Sequence, residues 1–239
     1  MPNILVRVRA RPNKVAPRPP RISANTKPKA TNTYADDQFN ESFEAALTNG
    51  NEALVAGDMN DAVGYFEQAG IMTLDDPRPA IGWGIALARQ GKHLPAFEKF
   101  QQAQRVYEPR GSFYRLSLER RVDADQIYGG LGFAAMRAAL FDESLKAYAK
   151  VVDLTGQSGA VIHNNMGIDY ANLRMYPEAE EAFKLASGLD SKNPDVLMNL
   201  GILYVVLRDR DKAIAIQEKL SAIDAYRAGM LQREIENMR

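Results

Sequence analysis

A glycine recurs at a nearly constant interval through this chain of 239 residues, and this repeat restricts the possible folds more than any other feature. Successive glycines are 34, 48, 35 and 34 residues apart, at Gly50, Gly84, Gly132, Gly167 and Gly201. A small residue follows each glycine after twelve positions, and an aromatic ring follows after sixteen in four of the five cases. A period near 34 residues is typical of stacked two-helix units. Such a chain forms an extended surface, which favours binding over catalysis.

The residue types in the repeat suit two helices packed closely together. Small side chains are needed where two helix backbones meet. A glycine inside a helix costs about 1 kcal/mol relative to alanine, so its recurrence indicates that a neighbouring helix must approach it. We expect the ring sixteen residues later to fill the space toward the next unit. The 48-residue step from Gly84 to Gly132 indicates an insert of about 14 residues, near positions 109–123.

This pattern resembles the tetratricopeptide repeat, written W-x2-L-G-x2-Y…A-x3-F…P. The match is strongest over 160–193, where Gly167, Tyr170, Ala179 and Phe183 fall in place. It is weaker in the fifth unit, where Gln217 replaces the ring, and Trp83 stands where leucine is usual. The resemblance implies an all-α fold, a right-handed α-solenoid of about five units with a C-terminal capping helix. The predicted solenoid covers 35–239, with units at about 43–76, 77–110, 125–159, 160–193 and 194–227, and the capping helix at 225–239.

The first 34 residues differ in composition from the rest and read as a basic, proline-rich flexible arm. They contain five arginines and three lysines without an acidic residue, about +8, so the remainder carries about −8. Six prolines disfavour a helix there. Three interpretations stay open: the arm binds an anionic partner such as nucleic acid or acidic lipid, it folds back on the acidic solenoid, or it only solvates the chain.

In proteins of this family the first helices line a concave groove that commonly binds peptides or helices of partner proteins. Carried over to this sequence, the resemblance predicts a groove that includes Ile81, Ile85, Arg89, Phe133, Met136, Arg137, Asn164, Asn165, Ile168, Asn172, Met198, Asn199, Ile202 and Val206. Asn165 and Asn199 occupy equivalent places, and we expect them to stack into a short ladder that bonds a peptide backbone. The apolar members favour an amphipathic helix as ligand.

Each of these expectations has a plainer alternative. The asparagines could satisfy only local helix groups, Phe133 and Met136 could pack inside the solenoid, and Arg89 and Arg137 could be merely solvated. The insert at 109–123 could lengthen a helix or form a loop over one end of the groove.

The sequence offers little for catalysis or cofactor chemistry. It has two histidines and no cysteine, which leaves few ligands for a structural zinc site, and we expect no metal, cofactor or small-molecule substrate. No catalytic constellation is found, so the protein is predicted not to be an enzyme. No apolar stretch is long enough to span a membrane, and the first ten residues lack the apolar core of a secretory signal. A cytoplasmic location is expected, with a periplasmic or organellar one left open.

The leading functional hypothesis is therefore a non-catalytic scaffold or adaptor that binds a peptide or helix of a partner protein. One alternative is an assembly factor resembling the bacterial repeat proteins of pilus biogenesis or secretion. Another is a tether in which the basic arm binds nucleic acid or lipid while the solenoid holds cargo.

Overall fold

The computed structural model describes residues 33–108, 124–155 and 159–238, and every regular element in these ranges is an α-helix. The chain divides into two units, Met1–Phe39 and Asn40–Arg239. Residues 1–32 of the predicted arm and the predicted insert at 109–123 lie outside the described residues. The nature of the arm and of the insert therefore stays a prediction.

Eleven helices are found in the described ranges, and they follow one another with short turns. Their bounds are α1 Thr33–Ala56, α2 Met59–Met72, α3 Arg78–Arg89, α4 His93–Tyr107, α5 Ala124–Arg137, α6 Phe141–Thr155, α7 Ala160–Asn172, α8 Tyr176–Leu189, α9 Pro194–Val206, α10 Arg210–Ser221 and α11 Ala225–Glu236.

The first ten helices form five pairs, and the turn inside every pair is the same. Seven residues after each repeat glycine the backbone adopts a left-handed conformation, at Gly57, Gly91, Ala139, Arg174 and Arg208. The next residue donates its N–H to a carbonyl five positions back, as in Lys92 to Leu87 at 2.9 Å and Met175 to Tyr170 at 2.9 Å. This is the Schellman ending of a helix, which satisfies the last carbonyls. It returns the chain so that the second helix runs back along the first.

The pairs stack through contacts of each second helix with the next first helix, as in α4 with α5 and α8 with α9. The backbones of successive first helices also approach one another, α3 with α5, α5 with α7 and α7 with α9. In the described part of the chain, successive second helices do not approach comparably. The first helices of Asn40–Arg239 therefore line the inner side of the stack.

The repeat glycines and rings fit together at the centre of this packing. A Cβ atom added at Gly50 would lie 2.8 Å from the ring of Phe66, and one added at Gly82, in the next pair, would also meet that ring. Phe100 lies in the same way between Gly84 and Gly130. Each of these rings therefore touches the first helices of two successive pairs, which confirms that it fills the space toward the next unit. We call these glycine contacts the ring seats.

The fifth pair has no ring at Gln217, and a residue of α11 takes over the contact. A Cβ atom on Gly201 would meet the side chain of Leu231, which is fully buried. Ile235 is buried beside it, whereas Tyr226 on the opposite face is exposed. Helix α11 thus covers the apolar end of the last pair. The predicted α-solenoid of helix pairs with a terminal capping helix is confirmed.

Ionic contacts join elements one repeat apart on the surface. Arg78 binds Glu44 of α1 at 2.8 Å, Lys212 binds Glu180 of α8 at 3.4 Å, and Arg227 binds Asp195 of α9 at 2.7 Å. Exposed ion pairs contribute little each, about 0–1 kcal/mol. The stack is consequently held mainly by its apolar core.

Trp83, which departs from the repeat pattern, is held by a charge of the second helix. The Lys99 Nζ atom lies 3.3 Å from the centroid of the indole ring. An ammonium group over an aromatic face is attracted by the electron-rich ring. The indole is therefore accommodated at the leucine position by a cation–π contact between α3 and α4.

Candidate functional site

An apolar residue directly follows four of the five repeat glycines, whereas Asn51 follows Gly50. These four residues, which we call the inner row, are Ile85, Phe133, Ile168 and Ile202. The three isoleucines are half-buried, and they pack with one edge against the core. Phe133 is 41% exposed. The inner row is thus an apolar strip that keeps part of its surface open to solvent.

Phe133 is fixed at this surface by a contact with the preceding pair. Its ring meets the imidazole of His93 edge to face, with centroids 6.3 Å apart and planes at 85°. The Nδ1 atom of that histidine is buried without a hydrogen-bond partner. The ring lies at the surface and not inside the solenoid, whereas Met136 is half-buried.

A second line of residues lies four positions beyond the inner row and is exposed throughout. This flanking row consists of Arg89, Arg137, Asn172 and Val206. The Arg89 Nη1 atom donates to the Leu54 carbonyl at 2.7 Å, and the Asn172 Nδ2 atom donates to the carbonyl of Ile168 in its own helix at 2.8 Å. Val206 is 55% exposed. The flanking row is therefore basic beside α3 and α5 and uncharged beside α7 and α9.

Asn165 and Asn199, which were predicted to stack into a ladder, donate to different partners. The Asn165 amide donates to the hydroxyl of Tyr148 at 2.9 Å, and the Asn199 amide donates to the Asn164 side-chain oxygen at 2.9 Å. The cause lies in the ring of the preceding pair. Asn165 occupies the repeat position of Gly82 and Gly130, so it faces that ring and bonds its hydroxyl.

For Asn199 the preceding ring is Phe183, which has no hydroxyl to bond. Its amide donates instead to the side-chain oxygen of Asn164 in α7, the preceding first helix. Met198, next to Asn199 in the chain, is half-buried against the core. The amides of Asn165 and Asn199 thus each use one of their two N–H donors within the fold.

Ile81 was expected in the groove and lies in the core. It is 5% exposed and belongs to the cluster that also contains Ile127 and Leu131 of α5. The approach of α5 to α3 covers this side chain, so it is withdrawn from the candidate surface. The inner row and the flanking row keep accessible surface and Met136 is half-buried, so they remain the candidate surface.

Comparison with known proteins identifies the fold. No family model matches the chain, and no curated protein matches it. Among solved structures, YrrB, described as a TPR protein with an unusual peptide-binding site, matches with a TM-score of 0.66 and 17% identity, over 84% of this chain and 97% of its own. A structure of MamA matches with a TM-score of 0.64 and 15% identity, over 80% of this chain and 96% of its own. MamA 41-end from Desulfovibrio magneticus RS-1 matches with a TM-score of 0.60 and 19% identity, over 80% of this chain and 96% of its own.

The chain has the tetratricopeptide-repeat fold. At these identities the likeness concerns the backbone arrangement, and the side chains of the candidate surface are this chain's own. In the described residues, no helix is both long enough and apolar enough for a bilayer. No three potential metal ligands among the histidines and acids of those residues come together either.

Two polar side chains lie inside the core: Ser144, at a repeat position where a small residue was predicted, and Asp169, whose burial was not predicted. Asp169 and Ser144 are both 0% exposed. The Ser144 hydroxyl donates to the Gly132 carbonyl at 2.9 Å, and neither carboxyl oxygen of Asp169 has a hydrogen-bond partner. Burial raises the pKa of Asp169 to about 7, with the neighbouring Ser144 hydroxyl acting in the opposite direction. A signal was present, since the same repeat position holds Ala86 and Ala134 in earlier pairs.

Proposed function

We propose that this protein is a non-catalytic interaction scaffold that binds a peptide or helical segment of a partner protein along the inner row. The observation that carries the proposal is the register of Ile85, Phe133, Ile168 and Ile202. Each holds the same repeat position, and each keeps apolar surface exposed or half-exposed on the side where the first helices meet. The description of the similarly folded YrrB as having a peptide-binding site supports this choice.

The dimensions of the strip favour a helical ligand. Packed helices lie about 9 Å apart, so four neighbouring first helices extend over roughly 27 Å. A helix rises 1.5 Å per residue, and roughly 18 residues would cover that distance. An amphipathic helix of this length presents apolar anchors at every third or fourth residue. The two arginines of the flanking row would favour a ligand with acidic residues beside its apolar face.

The test is affinity capture from cell extract with mass spectrometry, comparing the full chain with two matched variants. Phe133→Glu adds a negative charge to the inner row. Leu185→Glu adds the same charge to a side chain that is 48% exposed on the second helix α8. We expect the partner to be lost with Phe133→Glu and kept with Leu185→Glu, while circular dichroism shows equal helicity. Equal capture by both variants would remove the inner row from the proposal.

The basic arm supports a separate role as an anionic tether, which rests on its charge of about +8 over residues 1–34. Binding of this kind weakens steeply with salt because counterions are released. A deletion of residues 1–34 should abolish binding to acidic vesicles or nucleic acid and leave capture of the peptide partner intact. If the deletion leaves anionic binding unchanged, the arm has no such role.

A further inference from the structure

The contact between the third and fourth helix pairs differs chemically from the other contacts of the stack. At the other pairs, the position of Ser144 holds Ala62, Ala96, Ala179 and Ala213. The position of Asp169 holds Ala86, Ala134 and Leu203 in α3, α5 and α9. Helix α7 packs against both α5 and α6. Four joints connect α3, α5, α7 and α9 to the helices that precede them. Only at the joint of α7 do a hydroxyl and a carboxyl replace the alkyl groups found at the same positions elsewhere.

The carboxyl at this joint is poorly compensated, because the Ser144 hydroxyl is the one neighbouring group in the described residues that lowers its pKa, and burial outweighs it. The hydroxyl proton of Ser144 is used by the Gly132 carbonyl, and both oxygens of Asp169 are without a hydrogen bond. From α6 the titratable neighbour is Tyr148, whose own hydroxyl accepts from Asn165. No charged group on α5, α6, α8 or α9 contributes to the pKa of Asp169. A buried carboxylate with neither donor nor cation is strongly destabilised.

We propose that the joint between α6 and α7 is a pH-sensitive hinge, closed when Asp169 is protonated and loosened when it ionises. This inference goes beyond the proposed scaffold function because it concerns the packing of the chain itself, whatever partner it binds. Since Ile168 and Asn172 lie on the same helix as Asp169, loosening of this joint changes the spacing between the inner-row residues Phe133 and Ile168.

The direction of the effect follows from proton linkage. An aspartate in an unfolded or opened segment has a pKa of about 3.9, and burial raises the pKa of Asp169 to about 7. Below about pH 4 the group is neutral in both states and does not oppose closure. Between about pH 4 and pH 7 only the closed state holds the proton, so closure weakens as the pH rises. Above about pH 7 Asp169 is ionised in both the closed and the opened state, so the weakening of closure has reached its full extent and no longer changes with pH.

Amide hydrogen exchange of the full chain tests this, with rates corrected for the intrinsic effect of pH. Protection of α6 and α7 is compared at about pH 5.5 and about pH 8, with α10 as internal reference. In the natural chain we expect the protection of α6 and α7 to fall on the order of tenfold relative to α10. Asp169→Asn, which keeps the shape without an ionisable group, should abolish that difference.

Asp169→Ala is a second variant, used if the chain with Asp169→Asn does not fold. Alanine is the residue that α3 and α5 have at this repeat position, at Ala86 and Ala134. This variant should also give protection independent of pH. If the natural chain and the folded variant show the same pH dependence in α6 and α7, the hinge is overturned. An equal loss of protection in α10 and in α6–α7 of the natural chain would overturn it as well.

Discussion

The side-chain amide of Asn165 donates a hydrogen bond to the hydroxyl of Tyr148 over 2.9 Å, and this bond joins the fourth helix pair to the third. Tyr148 is almost fully buried, and burial raises the pKa of its hydroxyl. In earlier pairs a phenyl ring lies against Gly82 or Gly130 at the position of Asn165. At this joint, a hydrogen bond between the tyrosine hydroxyl and the asparagine amide thus takes the place of the contact between ring and glycine found at the same repeat position in earlier pairs.

Removing Asn165 leaves the buried Tyr148 hydroxyl without this donor, whereas removing the hydroxyl leaves the half-buried Asn165 amide without this acceptor. We expect Asn165→Ala to lower the free energy of unfolding by about 1–3 kcal/mol and Tyr148→Phe to lower it by about 1 kcal/mol. The double variant should cost less than the sum, with a coupling on the order of 1 kcal/mol. Urea unfolding followed by circular dichroism measures all three. Strictly additive losses would contradict a direct bond between the two residues.

The ring seats predict opposite effects for the same substitution at two glycines. A Cβ atom at Gly167 would lie 2.6 Å from the ring of Phe183, whereas Gly64 on α2 has nothing within 4 Å. Gly167→Ala should therefore destabilise the chain by roughly 1–3 kcal/mol through overpacking. Gly64→Ala should stabilise it by about 1 kcal/mol through helix propensity. Thermal melts that shift in the same direction for both variants would refute the seating of the ring.

The left-handed turns predict a stabilising change at Ala139. Its φ of 59° is the same conformation that Gly57 and Gly91 adopt at equivalent positions. A left-handed conformation costs a residue with a Cβ atom roughly 1–2 kcal/mol, part of which the greater chain entropy of glycine offsets. Ala139→Gly should raise the free energy of unfolding by roughly 0.5–1 kcal/mol, and Gly91→Ala should lower it by about 1 kcal/mol. Chemical denaturation of both variants measures whether the free energy of unfolding rises for Ala139→Gly and falls for Gly91→Ala.

Leu231 of the capping helix replaces the missing ring of the fifth pair, and its truncation should be costly. Leu231→Ala leaves a cavity above Gly201 and should lower stability by about 2–5 kcal/mol. Tyr226→Ala on the exposed face of the same helix should change it by less than about 0.5 kcal/mol. The two variants are compared by urea unfolding. Similar small losses in both would mean that α11 does not close the core.

Much of the fold could be predicted because the repeat couples residue type to backbone distance. The spacing from Gly84 to Phe100, and from Gly167 to Phe183, fixes which helices must touch. The inner row was implied by the family resemblance, and the exposure of Phe133 and half-burial of Ile168 are compatible with it, while its role in binding stays a prediction.

The hydrogen bonds could not be predicted in this way, because they depend on the side chain that the neighbouring pair presents. Asn165 and Asn199 have the same register, yet one meets a tyrosine hydroxyl and the other an asparagine of α7. The burial of Ile81 depends on how closely α5 approaches α3, and the 48-residue step leaves that distance undefined. The burial of Asp169 could have been suspected from Ala86 and Ala134, although an acidic residue on a helix is usually solvated.

The ring seats also bear on how the stack responds to force. A phenyl ring held between glycines of two successive first helices must leave one seat or the other when the angle between those helices changes. Such a joint is stiff, because any bend opens a void or forces overlap. The third-to-fourth joint has a single directional bond in place of the second seat, and a bond of that kind tolerates a few tenths of an ångström. Pulling by a cargo stretched across the first helices would consequently strain the joints without a second glycine seat, between α5 and α7 and between α7 and α9, more than the joint between α3 and α5.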